Sequence, residues 1–160
     1  VGKIAGVTAH ASFATQSIGD LSATYFALDV TKAFGAYKVT LGTEQLGTDE
    51  GNFTFSTPLA TAHKFQGFAD SFIVGTPSTG ISDYFAKVAT KVNGVKLVAA
   101  AHTFSAIEGD ADYGTELNFV AAYKVHKTTS LLLKYATYSA DDYKVDTNKL
   151  WLMANTKFSL

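Results

Sequence analysis

Residues 83–102 read DYFAKVATKVNGVKLVAAAH. Tyr84, Ala86 and Val88 alternate with Asp83, Phe85, Lys87 and Lys91; beyond Asn93-Gly94, Leu97, Ala99 and Ala101 alternate with Lys96, Ala100 and His102. Successive side chains of an extended strand point to opposite faces, so each run describes a strand with one apolar and one polar face. Asn-Gly accepts the two positive φ angles of a type I′ turn, whose twist matches the flanking strands. The segment is therefore predicted to be an antiparallel hairpin.

The same alternation extends through the chain. Upstream, Val7, Ala9, Ala11 and Phe13 alternate with Thr8, His10 and Ser12, then Phe26, Leu28 and Val30 with Tyr25, Ala27 and Asp29. Tyr37, Val39 and Leu41 are set against Lys38, Thr40, Gly42 and Glu44. Downstream, Leu117, Phe119, Ala121 and Tyr123 face away from Glu116, Asn118, Ala122 and Lys124. Leu131, Leu133 and Tyr135 oppose Leu132, Lys134 and Ala136, and Leu150, Leu152, Ala154 and Phe158 oppose Trp151, Met153, Asn155 and Lys157. The result is eight strands of about ten residues, the length with which a tilted strand crosses a bilayer. Strands of soluble proteins are typically about five or six residues long.

The connections divide into tight ones, Lys32–Gly35, Val92–Gly94 and His126–Thr129, and longer ones, Gln16–Asp20, Gly47–Gly80, Ala106–Asp112 and Ser139–Asn148. Strict alternation of short and long connections is expected of an outer-membrane barrel, with short turns on one side and loops on the other. The predicted fold is an all-β, transmembrane, antiparallel up-and-down β-barrel occupying residues 1–160, with 47–80 as its long extracellular loop. The last strand then runs inward, and Leu152, Ala154, Thr156, Phe158 and Leu160 form a stripe like the signal read by barrel-assembly machinery.

Composition narrows function further. The 160 residues carry a formal net charge of −1; all 13 basic residues are lysines, and cysteine is absent. Such a balance lacks the basic face of a nucleic-acid binder, and no disulfide or thiolate chemistry is open to the chain. The four histidines are scattered, without metal-ligand spacing. Glu108, Asp110 and Asp112 resemble a fragment of a calcium loop without its full pattern, and Asp141, Asp142 and Asp146 suit divalent cations bridging outer-leaflet surface lipids. No nucleophile elbow is present, so neither catalysis nor a cofactor is expected.

Mid-strand charge decides which face meets lipid, because a lysine at the bilayer midplane costs about 2–4 kcal/mol. Asp29, Lys38, Glu44, Asp83, Lys87, His102, Glu116, Lys124 and Lys134 are therefore expected to line a lumen. With Lys91, Lys96 and Lys157 counted, seven lysines stand against four carboxylates on that face, which favours a water-filled, weakly anion-preferring pore. Lys91, Lys96 and Lys157 are expected near strand ends, in solvent. Tyr37, Tyr84, Tyr123 and Phe158 fit interfacial aromatic girdles, where the ring is apolar and a hydroxyl stays wet. Two other readings are open: a closed eight-stranded barrel with a packed interior, acting structurally or through its surface, and a secreted lectin-like sandwich.

The run FSTPLATAHKFQGFADSF, residues 55–72, is too apolar for a free loop and too irregular for a strand. A short helix over Ala60–Phe72 after Pro58 is expected, folding over or into the pore. His63, Lys64, Phe65, Phe68 and Asp70 are then the constriction candidates.

The stretches STPLATAHKFQGFADSF (56–72), GISDYF (80–85), VKLVAAAHTFSA (95–106), DADYGTELN (110–118), LLLKYATYSADD (131–142) and DTNKLWL (146–152) resemble the C-terminal part of the alginate-export family of outer-membrane porins, from about Tyr37 onward. The resemblance implies a large monomeric barrel passing small or anionic solutes across the outer membrane of a Gram-negative bacterium. The founding member's arginine-lined pore has no counterpart in a chain without arginine. Family members are longer, so residues 1–160 read as the C-terminal half of a barrel, completed by N-terminal strands or a partner chain.

Overall fold

The computed structural model describes the backbone of residues 2–4, and residues 6–57, 66–73 and 75–158. Its strands are β1 (Gly2–Ile4), β2 (Val7–Ile18), β3 (Leu21–Phe34), β4 (Tyr37–Leu46), β5 (Thr48–Asp49), β6 (Phe53–Thr54), β7 (Ile81–Val92), β8 (Val95–Ser105), β9 (Asp112–Lys124), β10 (Thr129–Ser139) and β11 (Thr147–Thr156). One antiparallel sheet has the order β1-β2-β3-β4-β7-β8-β9-β10-β11, and β5 and β6 form a separate small hairpin. Eight long strands thus run up and down, from 10 residues in β4 and β11 to 14 in β3. No helix occurs among the described residues.

The Asn93-Gly94 turn has φ angles of 48° and 82°, as a type I′ hairpin requires. The connection expected over Gln16–Asp20 is shorter than its sequence suggested. Gln16 pairs with Ala23 and Ile18 with Leu21, leaving Gly19-Asp20 as the whole turn. Gly19, at φ 58°, takes the left-handed corner, and the polar Gln16 and Ser17 extend the ladder through backbone bonds that their side chains do not reveal. Long and short connections therefore alternate everywhere except at this turn.

The sheet is open: the eight strands expected as a barrel, or as the C-terminal half of a larger one, do not close on themselves. Among the described residues neither β1 nor β2 pairs with β11, and β1 covers only Val7–Ala9 of the β2 edge.

The two faces are divided as the alternation requires. The outer face carries Phe26, Leu28, Val30, Leu41, Val88, Leu97, Leu117, Phe119, Leu131, Leu133, Leu150 and Leu152, all exposed. Tyr37, Tyr84 and Tyr123 are exposed on it as well, and Phe158 follows β11 in the same phase. Lys32, at the end of β3, and Asp112, beyond the β9 bulge and opposite Ser105, are the ionised side chains of this face in the described long strands, both at strand ends. A soluble antiparallel sheet buries its apolar face and wets the other; here Leu152 is 77% and Phe13 71% exposed. The buried cluster lies on the opposite face at the loop end, where Leu46, Ile81, Phe104, Ala136 and Tyr138 of the sheet meet Phe55, Ala69 and Phe72 of the long connection.

Candidate functional site: a loop pinned on the charged face

Residues 66–73 fold back onto the inner face. They are not helical, contrary to the expected helix over Ala60–Phe72, of which residues 60–65 lie outside the described residues. Gln66, Gly67 and Asp70 have φ of 50°, 79° and 58°, incompatible with a right-handed helix. Their backbone donors are satisfied by the sheet instead. The Phe68 amide donates to Glu116 Oε1 at 2.5 Å and to Asn118 Oδ1 at 3.3 Å, and the Ala69 amide donates to Glu116 Oε1 at 2.8 Å. A Cβ on Gly67 would collide with that carboxylate.

Further pins surround this one. Gln66 Nε2 donates to Glu44 Oε2 at 2.5 Å, while the Tyr25 hydroxyl donates to Glu44 Oε1 at 2.7 Å. Lys149 Nζ lies 2.9 Å from Asp70 Oδ2, and Lys134 Nζ sits 4.6 Å above the Phe68 ring. Phe72 packs among Phe104, Tyr113, Tyr138 and Tyr143, with ring centroids 4.9 to 6.0 Å away. At the start of the connection Phe55 stacks on Tyr25 at 5.4 Å. Ser56 exchanges two hydrogen bonds with the Gln16 side chain, 2.6 and 2.8 Å long.

All nine predicted lumen residues lie on the inner face, in two zones. From the loop end inward, Glu44 faces Asp83; at the next level come Asp29, His102 and Glu116. Below them follow Lys87 and Lys149, then Lys38 and Lys134, then Lys91 beside Lys96, and Lys124. Carboxylates thus occupy the loop end and lysines the short-turn end. Glu44, Asp83 and Glu116 are 7%, 1% and 0% exposed and engaged: Asp83 holds His102 Nδ1 at 3.0 Å. Lys38, Lys87 and Lys124 are exposed, Asp29 and Lys134 half-buried. A cavity of 430 Å³ beside the loop is bordered by His10, Asp29, Glu44, Asp83, Lys87 and His102, among others.

Of the constriction candidates, Phe68 and Asp70 are in contact with the sheet as described, and His63, Lys64 and Phe65 lie outside the described residues. Sequence reasoning missed Tyr25, Gln66, Asn118 and Lys149. Lys149 was open to discovery, because it shares the phase of Trp151 and opposes Leu150; the partners of Gln66 are set by a contact across 22 residues of chain. Among the described residues no three His, Asp or Glu side chains are grouped to hold a metal ion.

The class defined by this geometry is an all-β, up-and-down sheet with an apolar outer face and a charged inner face partly covered by its own loop. No family model, no curated protein and no solved structure matches the chain.

Proposed function

We propose that this chain forms wall of a β-barrel channel in the outer membrane of a Gram-negative bacterium, a passive porin of the alginate-export kind for small or anionic solutes. The observation that carries the reading is the inverted sheet: strands long enough to span, an apolar exposed face whose ionised residues, Lys32 and Asp112, stand at strand ends, and lysines within the strands on the other face. Lipid is the medium in which an exposed apolar face of this extent is stable, and a hydrated lumen the place where exposed lysines need no partner.

Direction of the strands bears on closure. β1 and β11 both run toward the short-turn end, so joining them directly would make a parallel pair. An antiparallel barrel with an even strand number follows if an odd number of further strands stands between them. Residues 66–73 then narrow the lumen near its outer mouth, beside Glu44 and Glu116.

β2 and β11 are antiparallel to each other, which favours a second reading: direct closure into eight strands with a packed interior and a structural or surface-binding role. Planar-bilayer recording of the purified protein separates the two. Stepwise currents with anion preference are expected of the channel. Absence of current, with slow exchange of the edge amides of β2 and β11, identifies the packed barrel.

A further inference from the structure

Four lysines crowd the short-turn end of the inner face. Lys91 and Lys96 are directly opposite across the β7–β8 ladder. Lys38 faces Ala89, which makes Lys91 its diagonal neighbour; Lys96 faces Ala122, which makes Lys124 diagonal to it. Directly opposed residues have Cβ atoms about 4.5–5.5 Å apart and diagonal ones lie about 7–8 Å apart, so the four form a continuous row in which each can share an anion with the next, and all four border one depression. Like charges placed opposite one another destabilise a sheet, and nothing nearby offsets these. The depression they line, of 460 Å³, includes Ser130 and no carboxylate. All four are exposed, and among the described residues none is in an ion pair. The nearest inner-face carboxylate in the described strands is Asp29 on the neighbouring β3, level with Gly42 and so four residues along from Lys38, or about 14 Å and beyond the screening length of about 8 Å at physiological salt.

We propose that Lys38, Lys91, Lys96 and Lys124 form a binding site for compact oxyanions of two or more charges, of the phosphoryl class. An ammonium is a compact point charge that suits a tetrahedral oxyanion approached from several sides; the planar carboxylate is the natural partner of a guanidinium fork, which this chain lacks. The site deepens the channel reading and rests on it for access from the lumen. Its test measures binding without current, so failure of either is seen separately.

Inorganic pyrophosphate titrated calorimetrically into the full chain in nonionic micelles is expected to bind, and to bind less well as salt is raised. Lys91→Gln/Lys96→Gln should weaken binding by about tenfold, through the loss of two charge-assisted contacts. Lys38→Gln/Lys124→Gln should do likewise, and Lys144→Gln in the distant loop should not. A second arm compares flotation with phosphatidylglycerol and phosphatidylcholine vesicles. If the double substitutions reduce pyrophosphate binding, the oxyanion is a soluble solute. If they reduce only retention on phosphatidylglycerol, the phosphoryl group is a lipid headgroup. Binding and flotation both indifferent to the double substitutions, or an equal loss in Lys144→Gln, would overturn the site.

Discussion

Glu116 concentrates the loop's attachment in one side chain. Its carboxylate is 0% exposed and accepts the amides of both Phe68 and Ala69. A hydrogen bond to a charged group contributes about 1.5–3 kcal/mol. Glu116→Ala should therefore speed hydrogen exchange at Phe68 and Ala69 by about 10- to 100-fold, read by NMR or mass spectrometry in micelles. The Lys149–Asp70 pair offers a contrast: with Lys149 36% exposed, its bond is screened and worth about 0–1 kcal/mol. Lys149→Met should change the same amides by less than Glu116→Ala does. Gly67→Ala combines a left-handed φ of 79° with a collision against Glu116, a backbone strain of about 1–3 kcal/mol before the clash is counted. Its melting temperature should fall below that of Glu116→Ala. The alternation placed Glu116 on the inner face, yet its partners 47 and 48 residues away left no local trace.

At the level of the strand, parity makes a sharp experiment possible. Ala99 and Ala100 are adjacent on β8, one exposed on the outer face and the other half-buried on the inner. In a bilayer, Ala99→Lys should lower unfolding free energy by about 2–4 kcal/mol, whereas Ala100→Lys should cost clearly less because in the proposed channel its ammonium meets the lumen. Denaturant titration in liposomes reads both; equal losses would mean that the outer face does not meet lipid. Strand phase was legible because period two is imposed by the backbone itself, and every alternating run named from sequence forms a strand in that phase, the last one ending at Thr156 and leaving Lys157 and Phe158 beyond it. Element ends were less so. The Gly19-Asp20 turn was hidden because a polar strand end and a loop share Ser, Thr, Gln and Gly, and only the Ile18–Leu21 pairing tells them apart.

For the whole molecule, the long connection and the open edges matter most. Residues 66–73 reach the sheet at Glu44, Glu116, Asn118 and Lys149, and their replacement by a Gly-Ser linker of equal length should raise single-channel conductance in planar bilayers. Unchanged conductance would place this segment outside the solute path. By itself the sequence determined which residues form strands, which face of each is apolar, and the tight Asn93-Gly94 reversal, because all three depend on neighbours within a few residues. Tertiary structure decided that the Phe-rich run is pinned rather than helical where it is described. It also decided that buried carboxylates gather at one end and lysines at the other, and that the sheet stops short of closing. Those outcomes depend on the register of strands distant in sequence, where shifts of two residues leave the alternation intact while changing which charges meet.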